Sequence, residues 1–311
     1  MGNQTKITSL TLVGLSDHPL TMNGLFVLFF LIYLMTVIIN LLVFFLIIPD
    51  YHMHKPMYFF LANLAFLDMS YSSVTSPRML FDLITNSRSI SIPACIAQVF
   101  FYVYFAGSEL FLLSAMSYDR YIAICLPLHY TQIMSWRACV HMASLVWIAA
   151  FALSLVHTLF LSRLSFCRPT SIHNFFCDIP HLIQITCSDP FMNIVVIFLA
   201  GAFLGSGAFL LTFLPYVRIF STILKIHNTT GKLKAFSTCT SHLTVVFTFY
   251  AYLIFIYLIP SSSKMFNSNK LFSVISALIN PLLNPLIYSL RNKDLKEALI
   301  RSYCYLRFIH R

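Results

Sequence analysis

The stretch SAMSYDRYIAICLPLHY, Ser114 to Tyr130, closes a long apolar run with an adjacent acid and base, Asp119 and Arg120. Both are costly to bury, and adjacent positions on a helix point in different directions. The pair therefore marks either an ordinary helix end meeting water or working machinery at a membrane surface.

Composition sets the surroundings. Of 311 residues, 59% are hydrophobic and 10% are charged, against roughly 25% charged in an average soluble domain. Mean hydropathy is +0.80. The chain reads as an integral membrane protein. Its net charge of +10 is scattered, without a block of five or more basic residues, which argues against a nucleic-acid partner and fits a positive-inside bias. The first twenty residues are polar and lack the basic start and compact apolar core of a cleavable signal peptide, so none is expected.

A helix needs about 20 mostly apolar residues to cross the hydrocarbon. Seven stretches are expected to do so: Gly24–Ile48, Met57–Leu80, Ala94–Tyr118, Ala138–Ser162, Phe191–Val217, Ala235–Pro260 and Leu271–Leu290. The organisation is then an outer N-terminus over 1–23, a bundle over 24–290, and an inner amphipathic helix and tail over 291–311. With the N-terminus outside, 13 of the 20 Lys and Arg fall inside, the expected bias. Asn3, in NQT, is a glycosylation acceptor on that outer side.

Cysteine placement agrees with this orientation. Cys95, Cys167, Cys177 and Cys187 fall outside, where disulfides persist, and Cys125, Cys139, Cys239 and Cys304 lie in or near the inner half. Four cysteines permit three pairings. A metal set of His173, Cys177, His181 and Cys187 matches no standard zinc spacing, which favours disulfides.

Two acids, Asp68 and Glu109, stand in mid-span, where each costs roughly 2.5–3.5 kcal/mol. Such groups face the bundle interior and find partners, for which Asn40, Asn280 and Asn284 are candidates. Either they form a polar cluster that glues helices, or they hold a cation or proton. The last span carries NPLLNPLIYSL, and its two Asn-Pro steps predict a kink near the inner end. Beyond it, Leu295, Leu299, Tyr303 and Leu306 recur at helical spacing opposite basic residues, the pattern of a helix lying on membrane lipid.

Four stretches carry a resemblance over nearly the whole chain: MHKPMYFFLANLAFLD (Met53–Asp68), MSYDRYIAIC (Met116–Cys125), KAFSTCTSHL (Lys234–Leu243) and PLLNPLIYSLRN (Pro281–Asn292). The sequence resembles odorant receptors of the rhodopsin-like G-protein-coupled class. The resemblance implies a seven-transmembrane helix bundle in the plasma membrane of olfactory cilia, coupled to a stimulatory G protein that raises cyclic AMP. It makes Asp119 a restraint on Arg120, with Arg120 meeting the G protein when the inner face opens. Tyr121, Tyr216, Tyr250, Asn284, Pro285 and Tyr288 are carried over as activation positions. Asp68 and Glu109 match an acid pair proposed to hold sodium, the one cofactor implied. Cys95–Cys177 matches the family disulfide, leaving Cys167–Cys187 as the second.

The ligand region implied by the resemblance takes in Tyr102, Val103, Ala106, Gly107, Leu110, His157, Ala200, Leu204, Leu253, Ile254, Tyr257 and Val274. These residues are apolar, with polar tips at Tyr102, Tyr257 and His157 and no Lys or Arg, the mixture expected of a small-molecule site. A small, neutral, mostly apolar volatile molecule suits it, with Tyr257 as the orienting hydroxyl. The chain departs from the family pattern at Ser117 (usually Ala), at Pro215 (usually Ser) and at Ala251-Tyr252 (usually Gly-Thr). It also reads HNFFCD where NHFFCD is usual, which moves His173 off a proposed copper motif.

The rival from another class is an ion-coupled transporter, since intramembrane acids suit ion coupling, but no internal repeat divides the seven spans. Enzyme activity is not expected: no second aspartate motif accompanies Tyr118-Asp119, and Ser206 has no assignable base.

Overall fold

The computed structural model describes residues 7–16, 18–167, 170–258, 266–291 and 294–301, with backbone alone at 234, 256–258, 266–269 and 290–291. Asn3 lies outside the described residues. Four long helices come first: α1 (Pro19–Ile47), α2 (Pro56–Thr85), α3 (Ile92–Cys125) and α4 (Trp136–Leu161). Helix α5 runs from Phe191 to Leu224 through a π-turn at Ala200–Gly205, and α6 spans Thr229–Leu258. Helix α7 runs from Phe266 to Arg291 through a π-turn at Ile275–Ile279, and a short α8 covers 294–301. Each of the seven expected spans corresponds to one of α1–α7.

Local chemistry moves several boundaries. Helix α1 starts at Pro19 rather than Gly24, because proline is preset for the first helical turn. Helix α2 continues past Leu80 to Thr85, where Arg78 pairs with Asp82 one turn on at 2.8 Å, and it ends on left-handed Asn86 (φ 53°). Ser91 and Ser135 cap α3 and α4, each hydroxyl accepting from a backbone N–H three residues later. Helix α3 runs on to Cys125, so Asp119 and Arg120 sit within the helix and not at its end.

Six of these helices are long and apolar enough to cross a membrane by length and composition; α2 is as long but carries Asp68, Arg78 and Asp82. The side-chain arrangement is inverted relative to a soluble protein. Leu31, Ile38, Phe45, Leu145, Ile148, Phe203 and Leu211 are exposed, while Asn40, Asp68, Glu109, Asp119, His242 and Asn284 are buried. Apolar faces outward and polar groups gathered inward are what lipid demands of a bundle. The chain is a multi-pass membrane protein.

At one end a small sheet caps the bundle. Strand β1 (Ser9–Leu12) pairs antiparallel with β2 (Ser89–Ser91) and parallel with β3 (Ser171–Ile172). Cys95 at the start of α3 is bonded to Cys177, and Cys167 to Cys187, so both expected disulfides are present. Arg88 donates to the Ser16 carbonyl and Lys270 to the Gly14 carbonyl, holding the N-terminal segment over the mouth.

At the other end α8 docks on the α1–α2 loop. Arg301 donates to Asp50 at 2.6 Å, and Tyr58 Oη donates to Asp294 at 2.8 Å. Leu295 and Ala298 are buried whereas Leu299 is exposed; Tyr303 and Leu306 lie outside the described residues. In α7 the irregular turn described is the π-turn at Ile275–Ile279, outward of both Asn-Pro steps. Pro285 has no N–H, so the Pro281 carbonyl four residues back loses its helical donor. Asn40 Nδ2 supplies one from α1 at 3.0 Å.

Candidate functional site

Three layers of residues cross the bundle. At the inner end, Asp119 is 1% and Arg120 7% exposed. Among the described residues the two form no ion pair; Asp119 Oδ1 instead accepts from Tyr130 Oη at 2.8 Å. Asp119 lies within electrostatic reach of Arg120, and the carboxylate's hydrogen-bond donor is the Tyr130 hydroxyl. Arg120 lies within electrostatic reach of Tyr216, Cys239, His242 and Tyr288. Tyr216 Oη meets His242 Nδ1 at 2.7 Å, joining α5 to α6. Tyr121 packs half-buried against the cluster of Tyr216, Ile219, Ile223 and Cys239.

The departures at 117 and 215 lie beside this layer. Ser117 Oγ donates to the Thr212 carbonyl at 2.6 Å, and Ser114 Oγ meets Thr212 Oγ1 at 2.9 Å, so α3 and α5 are stitched together one turn before Pro215.

The middle layer gathers the buried acids. Asn284 Nδ2 donates to Asp68 Oδ1 at 2.8 Å and to Glu109 Oε1 at 3.1 Å, so one amide on α7 joins α2 and α3. Asp68 Oδ2 is buried without a direct partner among the described residues. Pro285 is buried beside Asn284. Tyr250 and Tyr288 belong to the apolar cluster of this level, with Tyr250 edge-on to Phe209 at 5.4 Å.

The outer layer is where the expected ligand residues divide. Tyr102, Val103, Ala106 and Val274 come together in one cluster with Tyr71, Phe175, Phe176, Ala277 and Leu278. Leu110 and Leu253 belong to the neighbouring cluster around Tyr250. Gly107 faces α4: a Cβ there would touch Ala150 Cβ and Leu153 Cδ2 at 3.5 Å. The structure places Gly107 on the α4 side of α3. Leu204 and Ile254 stand 42% and 47% exposed on α5 and α6 and do not join these clusters. His157 is buried on α4, and Ala200 opens the π-turn of α5. The Tyr257 side chain lies outside the described residues.

Sequence reading passed over Phe175, Phe176 and Tyr71 and flagged Tyr252 only as a departure. Tyr252 is buried, and its hydroxyl is hydrogen-bonded to that of Tyr102. The signal for Phe175 and Phe176 was their place just before Cys177, whose bond to Cys95 pins them over the mouth. Nearby, His181 Nδ1 meets Asp178 Oδ1 at 2.6 Å in the outer loop, and Asn174 Nδ2 donates to Ser273 Oγ on α7 at 3.3 Å. Burial pulls the His181 pKa down and Lys270 adds to that, but the charge and hydrogen bond of Asp178 outweigh both and leave it raised.

Comparison with known proteins matches this arrangement to one family. Residues 29–305 match a family model described as Olfactory receptor. Mouse Olfactory receptor 1E16 is 45% identical over 302 residues, covering 97% of this chain and 96% of that protein. Gorilla Olfactory receptor 1G1 is 45% identical over 308 residues, covering 99% and 98%. Human Olfactory receptor 1J2 is 44% identical over 306 residues, covering 98% of each. In fold, the chain is similar to squid rhodopsin, with a TM-score of 0.71 at 16% identity, over 94% of this chain and 87% of that one.

Proposed function

The chain belongs to the olfactory receptor family, and on that premise we propose that it binds a small, neutral, largely apolar odorant and answers by activating a stimulatory heterotrimeric G protein to raise cyclic AMP. It is a signalling receptor with a rhodopsin-like fold, and not an enzyme or an ion-coupled transporter. The observation that carries the ligand reading is the outer cluster of Tyr102, Val103, Ala106 and Val274. Apolar walls with few hydroxyl tips reward neutral molecules at about 25 cal/mol per Å² of buried apolar surface, and a bare charge would find no counter-ion there.

The N-terminus faces outside the cell in this reading. Both disulfides lie at the sheet-capped end, as an oxidising compartment requires, and Asn3 on that side would carry a glycan. The buried Arg120 lies at the opposite end, where the G protein docks, and α8 rests on the inner leaflet. Expression in the cilia of olfactory neurons fits this reading.

The middle layer suits a sodium ion. Asp68 and Glu109 converge on one amide, and Asp68 Oδ2 is buried with no direct partner among the described residues. Two buried like charges need a cation between them or a shared proton. Asp68 and Glu109 would supply the carboxylate oxygens, and bound sodium would favour the closed bundle.

The test is a screen of neutral volatile compounds on cells expressing the chain, read by cyclic AMP. Neutral oxygenated volatiles should raise it. A response confined to carboxylates or amines would overturn the ligand reading.

A further inference from the structure

Helix α2 carries two hydroxyls on its buried side that the rest of the fold leaves unused. Thr75 and Ser76 are each 0% exposed, and among the described residues neither Thr75 Oγ1 nor Ser76 Oγ has a hydrogen-bond partner. A helical serine or threonine can bond back to the carbonyl four residues earlier, as Ser70, Ser73 and Thr85 do in this same helix at 2.7, 2.7 and 2.8 Å. Thr75 does not. Tyr71 and Met79 stand one turn to either side of it on the same helix face, and both belong to the outer cluster that contains Tyr102, Phe175 and Phe176. Ala277 and Leu278 of α7 belong to that cluster too. At this level α2 is held to α3, since Gln98 Nε2 donates to the Val74 carbonyl at 3.0 Å. Met79, one turn outward, borders a cavity of about 10 Å³ together with Met22, Leu83 and Phe175. Methionine repacks readily, so the cluster can make room by moving a thioether rather than a helix.

We propose that Thr75 is a specificity-determining residue, whose hydroxyl receives the oxygen function of a neutral ligand lying along Tyr71, Tyr102 and Phe176. This rests on the odorant-receptor reading above. A buried hydroxyl without a partner costs free energy, and a ligand that completes it recovers that cost only in the bound state. The hydroxyl both donates and accepts, so an alcohol, aldehyde, ketone or ester each satisfies it. A hydrocarbon of the same length fills the apolar space and leaves Thr75 unpaired. Oxygen content is then read on α2, from the side of the bundle opposite α5. Ser76 is turned about 100° further round the helix axis, off the centre of the Tyr71–Met79 face, so Thr75 and not Ser76 takes this role.

The experiment uses the full chain. Thr75→Val keeps the shape and removes the hydroxyl, Thr75→Ser keeps the hydroxyl, and Ser76→Ala is the neighbouring control. Purified receptor in detergent is melted alone and with octanol, octanal, octyl acetate or octane, and the same probes are applied to cells with cyclic AMP as readout. Without ligand, Thr75→Val should melt no lower than wild type, because an apolar replacement relieves an unpaired group. A lower midpoint would show that the hydroxyl already has a partner, and would overturn the proposal. With ligand, the oxygenated probes should raise the wild-type midpoint more than octane does. Thr75→Val should erase that difference, binding the oxygenated probes about tenfold more weakly and octane unchanged. Thr75→Ser and Ser76→Ala should keep it. An equal loss for octane would mean that only packing had changed, and a difference that survives Thr75→Val would place the contact elsewhere; either overturns the proposal. Probes that shift the midpoint in this pattern without raising cyclic AMP would uphold Thr75 and count against the signalling reading instead. If no probe shifts the wild-type midpoint, the ligand reading fails and this role for Thr75 fails with it.

Discussion

Tyr130 donates its hydroxyl to the Asp119 carboxylate over 2.8 Å, so a residue just past the inner end of α3 satisfies the acid beside Arg120. Asp119 is buried, and removing its donor costs roughly 1–3 kcal/mol. Tyr130→Phe should therefore destabilise the resting arrangement and raise ligand-free cyclic AMP several-fold. The check is the ligand-free signal per receptor at the surface; no change would mean that this hydroxyl does not hold the resting state.

Asn40 offers a stability test. Its amide takes the place of the N–H that Pro285 cannot give to the Pro281 carbonyl. Asn40→Ala would leave that buried oxygen unpaired, at a cost of about 1–3 kcal/mol. Thermal melting of the purified receptor in detergent should show a lower midpoint. Asn40→Leu, which fills the space without a donor, should fail to restore it, and a wild-type midpoint in either variant would contradict the assignment.

The buried acids should respond to salt identity. With Asp68 and Glu109 meeting at Asn284, sodium should raise the melting temperature more than potassium at equal ionic strength. Glu109→Gln should abolish that difference while the receptor remains folded. An unchanged sodium response would leave the cluster as helix glue alone.

The outer loop carries a pH dependence of determinate sign. The His181 pKa lies above its ordinary value of 6.5 on balance, because Asp178 outweighs burial and Lys270. A histidine whose folded pKa is raised contributes stability that is fully present below the unfolded value and is lost as pH rises through the folded one. Thermal stability should accordingly fall as pH climbs from about 6 towards alkaline values. His181→Gln should flatten that slope, and a variant that kept it would place its origin elsewhere.

Much of this was legible in the sequence, for reasons that differ from residue to residue. The spans followed from apolar length, and Asp68, Glu109 and Asn284 were conspicuous because polar groups inside a membrane must find one another. The disulfide pairing was carried by resemblance and matches Cys95–Cys177 and Cys167–Cys187. The faces of Gly107, Leu204 and Ile254 were not legible, because rotation about a helix axis cannot be fixed where every side is apolar. Tyr252 escaped because its meaning depends on Tyr102, 150 residues earlier. The donor to Asp119 escaped for a similar reason, since Tyr130 comes round only through the turn that follows α3.

In the proposed function an outer ligand is read at the inner face through Arg120. The most direct measurement is ligand-driven cyclic AMP in cells carrying wild type or Arg120→Ala at matched surface density, using a volatile that activates the wild type. Arg120 is buried at the inner end among Tyr216, His242 and Tyr288, so the variant should reach the surface and give no ligand-driven rise. A full response from a well-expressed Arg120→Ala receptor would contradict the account.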